Sequence, residues 1–143
     1  MQLVVDASVA LRWCFGDGRQ ADLDLALEVL GRIERGDRMT VPAIWPLEIG
    51  NVLMRAERAG QLAADRRTEF LERLTALGIV IDEGGVQRGF THVLPLALQH
   101  GLTPYDASYL ELALREALPL ASLDSALRKA AVASGVSLSG PND

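Results

Sequence analysis

Short aliphatic runs alternate with longer stretches of helical period along this chain, and that alternation limits the folds open to it. Leu3–Val5, Met39–Val41, Gly78–Ile81 and Leu118–Leu123 read as strands, with Val136–Leu138 as a short last one. Between the first two, Leu23, Ala26, Leu27, Leu30 and Ile33 recur at helical spacing and stop at Gly36. A second helix runs from about Ala43 to Ala59 and ends at Gly60. A third carries Phe70, Leu71, Leu74 and Leu77, with Gly78 just past its end. Val86 to Gln99 reads as a helix kinked or interrupted at Pro95. Thr103 to Ala117 has the clearest start, with Thr103 as N-cap and Pro104 in the first helical position. Ser125–Ala133 closes the series. Parallel strands need crossovers of this length, so the pattern predicts one α/β domain with a parallel sheet covered on both faces. The two helices between the second and third strands are expected to form a hairpin standing off the sheet.

Composition removes several classes of function. At 143 residues, 49% hydrophobic and 23% charged, the chain has the make-up of an ordinary globular domain. No apolar run approaches the roughly 18 residues of a membrane span, and no basic segment followed by a long apolar stretch suggests a signal peptide. Cys14 is the only cysteine, which excludes an internal disulfide and a cysteine-rich zinc site and fits a reducing cytoplasm. A net charge of −5 argues against a broad basic surface for nucleic acid. It leaves open a nucleic-acid substrate held by metal ions and a few arginines.

Of the 19 acids, most flank amphipathic helices or lie in turns. Four stand apart. Asp6 ends the first strand and Asp124 the fourth. Asp106 lies in the first turn of the helix that begins at Thr103. Glu48 sits early in its helix among Ile44, Trp45, Leu47 and Ile49. Ligands of open parallel sheets bind outside the carboxyl ends of the strands, where these acids belong by position. Each of the three aspartates also reads as a helix cap or capping-box acid on its own. Glu48 needs water or a partner. Two carboxylates about 4 Å apart repel by roughly 4 kcal/mol at an effective dielectric near 20, so four together call for cations. Lys129 is the only lysine. Oxygen ligands of this kind suit Mg²⁺ or Mn²⁺.

The segments VVDASVAL, PLEIGNVLMR, TPYDASYLELA and LASLDSALRKAA, in that order, resemble the PIN-domain ribonucleases, and within them the VapC-type toxins of bacterial toxin–antitoxin pairs. The resemblance runs from Leu3 to Gly135. It implies a three-layer α/β/α domain over 1–143 with a central parallel sheet of four to five strands. It also implies that Asp6, Glu48, Asp106 and Asp124 bind the metal and carry catalysis. Ser8 matches the small hydroxyl residue after the first acid, and Ser122 the Ser or Thr two residues before the last. Asn51 matches a recurrent polar residue of the second motif, one helical turn after Glu48. These three are expected to hold or hydrogen-bond the acids.

The expected chemistry is hydrolysis of RNA by metal-activated water, since His92 and His100 lie away from the acid motifs and a paired-histidine mechanism is disfavoured. Arg12, Arg55, Arg58 and Arg128 are candidates for holding phosphates, although exposed arginine is ordinary and solvated surface is the favoured reading for each. Single-stranded or looped RNA is the expected substrate. The resemblance further implies a cytoplasmic protein, a VapB-type antitoxin and a homodimer. Trp13, Phe15 and Trp45 are candidates for lining an antitoxin groove or a dimer contact, or for the core. A phosphoaspartate receiver would want an acidic pair after the first strand and a lysine after the last. An Asp-x-Asp phosphatase fails at Ser8. A catalytically silent PIN-like binding module and a structure-specific DNA nuclease remain as rivals.

Overall fold

A computed structural model describes residues 1–139; the last four positions of the expected 1–143 domain lie outside the described residues. In chain order the elements are β1 (Gln2–Val5), α1 (Ala7–Arg12), α2 (Gln20–Glu34), β2 (Arg38–Pro42), α3 (Trp45–Arg58) and α4 (Ala64–Ala76). There follow β3 (Val80–Asp82), α5 (Gly84–Gln87), a π-helical turn (Gly89–Val93), α6 (Leu94–His100), α7 (Pro104–Glu116), β4 (Leu120–Ala121) and α8 (Ser125–Ala133).

The four strands form one parallel sheet in the order β3-β2-β1-β4, the middle layer of an α/β/α sandwich. Leu3, Val4 and Val5 are fully buried because β1 is an inner strand, which is why its sequence is a continuous aliphatic run without alternation. Leu3 pairs with Met39 on one side and Val5 with Ala121 on the other. The chain passes from β1 outward to β2 and β3, then returns to lay β4 against the opposite side of β1. The topological switch point therefore lies between β1 and β4, where a crevice opens at the carboxyl edge. Helix α7 packs across β1, β2 and β4, while α1 packs on α2 and α3.

Besides β3, which starts at Val80 and not at Gly78, three elements differ from expectation. The fourth strand is shorter than Leu118–Leu123, because Ala117 leaves α7 in a left-handed conformation (φ 53°) and the residues after Ala121 turn at once toward α8. The last strand shrinks to a bridge between Leu120 and Leu138, held by Leu120 N–H to Ser137 O and Ser139 N–H to Leu120 O, both 2.9 Å. The helix expected over Val86–Gln99 is broken ahead of Pro95. Val93 N–H reaches five residues back to Arg88 O, and α6 restarts with the proline in its first turn. Proline has no N–H to give the preceding turn, and Gly89 is a weak helix former, so the wider turn forms there.

Candidate active site

Asp6 follows β1 and occupies the N-cap position of α1, yet its side chain makes no cap hydrogen bond. It is instead 5% exposed, with Oδ2 accepting from Ser8 Oγ and from Ser122 Oγ, each at 2.8 Å. Both hydroxyls are used twice. Ser8 Oγ accepts from Leu123 N–H at 3.1 Å, and Ser122 Oγ accepts from Asp124 N–H at 3.0 Å. A hydroxyl has one proton to give, so accepting from the backbone leaves each serine to donate to Asp6. These four bonds join the end of β1 to the loop after β4 across the switch point.

Asp124 is the N-cap of α8, Oδ1 accepting from Leu127 N–H at 2.9 Å. Asp106 stands at the third position of α7, where Thr103 Oγ1 accepts its N–H at 3.1 Å. The side-chain cap available from sequence is thus formed at Asp124 and refused at Asp6, while at Asp106 the capping side chain is that of Thr103. Capping does not remove Asp106 or Asp124 from the site, because their charges are felt by Asp6. Glu48, half-buried in the first turn of α3, accepts a 2.5 Å hydrogen bond at Oε1 from Tyr109 Oη.

Electrostatics tie the four acids together. Burial pushes the Asp6 carboxyl above its ordinary value; its two serine bonds oppose this, and the charges of Asp106 and Asp124 add to it. Burial likewise raises Glu48, against the Tyr109 bond and with the charges of Asp6 and Asp106. Asp106 is raised by burial and then by Asp124, against its contact with Thr103. Among the described residues no Arg, Lys or His lies within ion-pair distance of any of the four. Nor, among the described residues, do three His, Cys, Asp or Glu side chains close into a ready-made ligand cluster.

The donor set still fits a hard divalent cation. It is all oxygen, it is negative and uncompensated, and Asp6 is fixed before any ion arrives. Mg²⁺ in particular keeps several waters and is held through one or two carboxylates, so a complete protein cage is not required. The side chains that could hold it are those of Asp6, Glu48, Asp106 and Asp124, whose charges act on one another.

The other expected residues are scattered more widely. Asn51 is exposed on α3, one turn after Glu48. Arg128 Nη1 donates to Ser122 O at 3.0 Å, at the rim of the site. Arg12 is turned away, bonded through Nη1 to Asp17. Arg55 and Arg58 are exposed on α3, about 10 and 15 Å along the axis from Glu48 at 1.5 Å per residue. Trp13 donates from Nε1 to Ala26 O at 2.8 Å and packs with Phe15 on the core. Trp45 is buried, and its Nε1 has no partner among the described residues. His92 bonds to Thr91, and His100 to Ser134.

Two residues went unnoticed in the sequence. Tyr109 is fully buried one turn after Asp106, and a buried phenol that must find a partner was the available signal. Glu111 is 3% exposed in the middle of α7, and Arg115 four residues on was its signal.

Known proteins agree with this architecture. Ribonuclease VapC3 of Pyrobaculum aerophilum is 28% identical over 127 residues, covering 89% of this chain and 92% of that protein. The crystal structure of PAE2754 from the same organism matches with a TM-score of 0.66 at 22% identity, over 91% of this chain and 84% of that one. VapBC2 from Rickettsia felis, bound to a DNA fragment from their promoter, matches with a TM-score of 0.67 at 10% identity, over 96% and 97%. At those identities the two structures speak for the fold. The PIN domain family model matches residues 3–133, from the strand that ends in Asp6 through the helix that Asp124 caps, and the chain belongs to the PIN domain family.

Proposed function

We propose that this chain is a metal-dependent endoribonuclease toxin of the VapC type, acting in the cytoplasm as a single catalytic domain and neutralised by a VapB-type antitoxin. The observation that carries the reading is the buried, uncompensated Asp6 carboxylate, held by two serines at the switch point beside Asp106, Glu48 and Asp124. Mg²⁺ or Mn²⁺ held there supplies an activated water and stabilises charge developing on the phosphate. Asp6 and Asp106 would serve as the main ligands, Glu48 and Asp124 would complete the site directly or through water, and Ser8 and Ser122 keep Asp6 aimed. Glu48 or Asp124 would take the proton from the attacking water as the P–O3′ bond breaks, and the leaving O3′ would take a proton from solvent, giving a 5′-phosphate and a 3′-hydroxyl. Arg128 at the rim and Arg55 on α3 are positioned to steady flanking phosphates of a single strand. Arg12, engaged with Asp17, contributes least to such a path.

The antitoxin reading has support from a groove of about 1170 Å³ between α3 and α4, walled by Trp45, Ile49, Leu53, Leu71 and Leu74 with Arg58 among its residues. Its apolar walls suit an amphipathic helix. A homodimer has support elsewhere, where Val86, Phe90, Leu94 and Tyr105 gather around a second, apolar hollow and Phe90 is 91% exposed.

The test is cleavage of structured RNA by the antitoxin-free chain with and without Mg²⁺ or Mn²⁺. Cleavage should require the metal, and Asp6→Asn should slow it by at least about 10²–10³-fold. Metal-independent cleavage, or full activity in Asp6→Asn, would sink the mechanism. Cleavage of DNA alone would favour the DNA nuclease, and no cleavage at all the silent binding module.

A further inference from the structure

We infer that Tyr109 is the positioning residue for Glu48, joining three helices into one hydrogen-bonded unit on which metal binding depends. Its ring is fully buried in the core, so its hydroxyl has a fixed place. That oxygen receives Ala7 N–H at 3.4 Å, at the start of α1 and next to Asp6. It gives its single proton to Glu48 Oε1 at 2.5 Å, on α3. A phenol ordinarily loses its proton only near pH 10, so it stays a donor throughout the pH range in which the acids ionise.

The consequence follows from the chemistry of a glutamate. Glu48 sits on a half-exposed helical turn, and a free side chain there would sample several rotamers. With Oε1 held by Tyr109, the remaining oxygen keeps one orientation relative to Asp6. Tyr109 also lies three residues after Asp106, on the same face of α7. One helix face thus brings an acid to the site and fixes a second acid from another helix. Partners that orient metal-binding groups in this way change metal affinity by about 10–100-fold when removed.

This inference rests on the metal-binding role proposed for the site, and its test separates the two. Mn²⁺ is titrated calorimetrically into the EDTA-washed full chain. Tyr109→Phe keeps the ring and should raise the Mn²⁺ Kd by about 10–100-fold. In a Glu48→Ala background the same substitution should add less than about twofold, since there is no carboxylate left to position. Unchanged binding in Tyr109→Phe, or equal weakening in both backgrounds, overturns the inference, the latter showing a general packing effect. Should Tyr109→Phe fail to unfold cooperatively, Glu48→Asp provides the same reading from a half-buried position outside the core. It keeps the charge but falls one methylene short of the hydroxyl, and wild-type affinity there would also overturn the inference. Wild-type protein that binds no Mn²⁺ removes the metal reading itself, and the inference with it.

Discussion

Helix α7 carries acids into two clusters built on opposite terms. Asp106 and Glu111 lie about 140° apart around the helix at 3.6 residues per turn. On one side Glu111, 3% exposed, accepts from Arg115 at 2.9 Å and from Arg88 at 2.5 Å. Arg115 continues to Asp82 at 2.6 Å, so two buried or half-buried acids are matched by two guanidiniums. On the other side Asp6 is just as buried and meets only hydroxyls and other acids. Burial of an acid therefore does not separate the two clusters. The presence or absence of a compensating cation among the described residues does. The first cluster ties α7 to the π-helical turn and β3, and the second leaves negative charge unspent at the sheet edge.

The largest effect should come from breaking the compensated cluster. Glu111→Ala strands two partly buried guanidiniums and should destabilise the fold by about 3 kcal/mol in urea denaturation. Its Mn²⁺-induced rise in Tm should survive, since the site acids are untouched. A loss below about 1 kcal/mol would mean that water already solvates the arginines and that the two clusters differ less than their geometry suggests.

The opposite sign is expected at the uncompensated cluster. Asp106→Asn removes a repelling charge while keeping the N–H that bonds to Thr103. Without metal it should stabilise the chain, by less than about 1 kcal/mol given that Asp106 is only half-buried. It should also lose the Mn²⁺-induced rise in Tm. A destabilised variant with a normal metal response would reduce Asp106 to a capping acid.

The smallest effect is a difference in pH slope. Asp6, Glu48 and Asp106 have raised folded pKa values, so the folded state keeps protons that the unfolded chain has lost. Metal-free stability should fall as pH rises from about 4, the ordinary carboxyl value, through those raised values. Asp82 is held below its ordinary value by the Arg115 bonds. Its contribution is present above about pH 4 and lost as pH falls through the lowered folded pKa. Denaturation midpoints across acidic pH should show that Asp82→Asn flattens the acid limb alone, while saturating Mn²⁺ flattens the upper limb. An Asp82→Asn variant with an unchanged acid limb would remove the contrast.

How far the sequence could be read depended on how local each cause was. Leu3–Val5 and Met39–Val41 are legible because an inner parallel strand must be apolar on both faces. Thr103 and Pro104 announce α7 because capping is settled within four residues. The third strand starts two residues later and ends one residue later than Gly78–Ile81 and is half-exposed, because β3 is an edge strand and only its neighbours could reveal that. The break in the helix before α6 was placed at Pro95, but the widened turn lies upstream, where the missing donor is felt. Within the site the four acids were visible as types at strand and helix ends. Tyr109 was not, since its partner lies 61 residues away on another helix. Glu111 looked like any acid with an arginine one turn on, and nothing local says that this pair is buried.

What the sequence determined by itself is the alternation of strand and helix, the placement of acids at their junctions, and the restriction to one lysine and one cysteine. Those features act through periodicity and capping, over a few residues at a time. The tertiary structure alone decided that β4 lies against β1, which puts Ser122 on the same carboxylate oxygen as Ser8, 114 residues apart in the chain and both 2.8 Å from Asp6 Oδ2. It also decided which buried acids find guanidiniums and which find only hydroxyls. Charge compensation is a matter of distance in space, and strand order sets those distances.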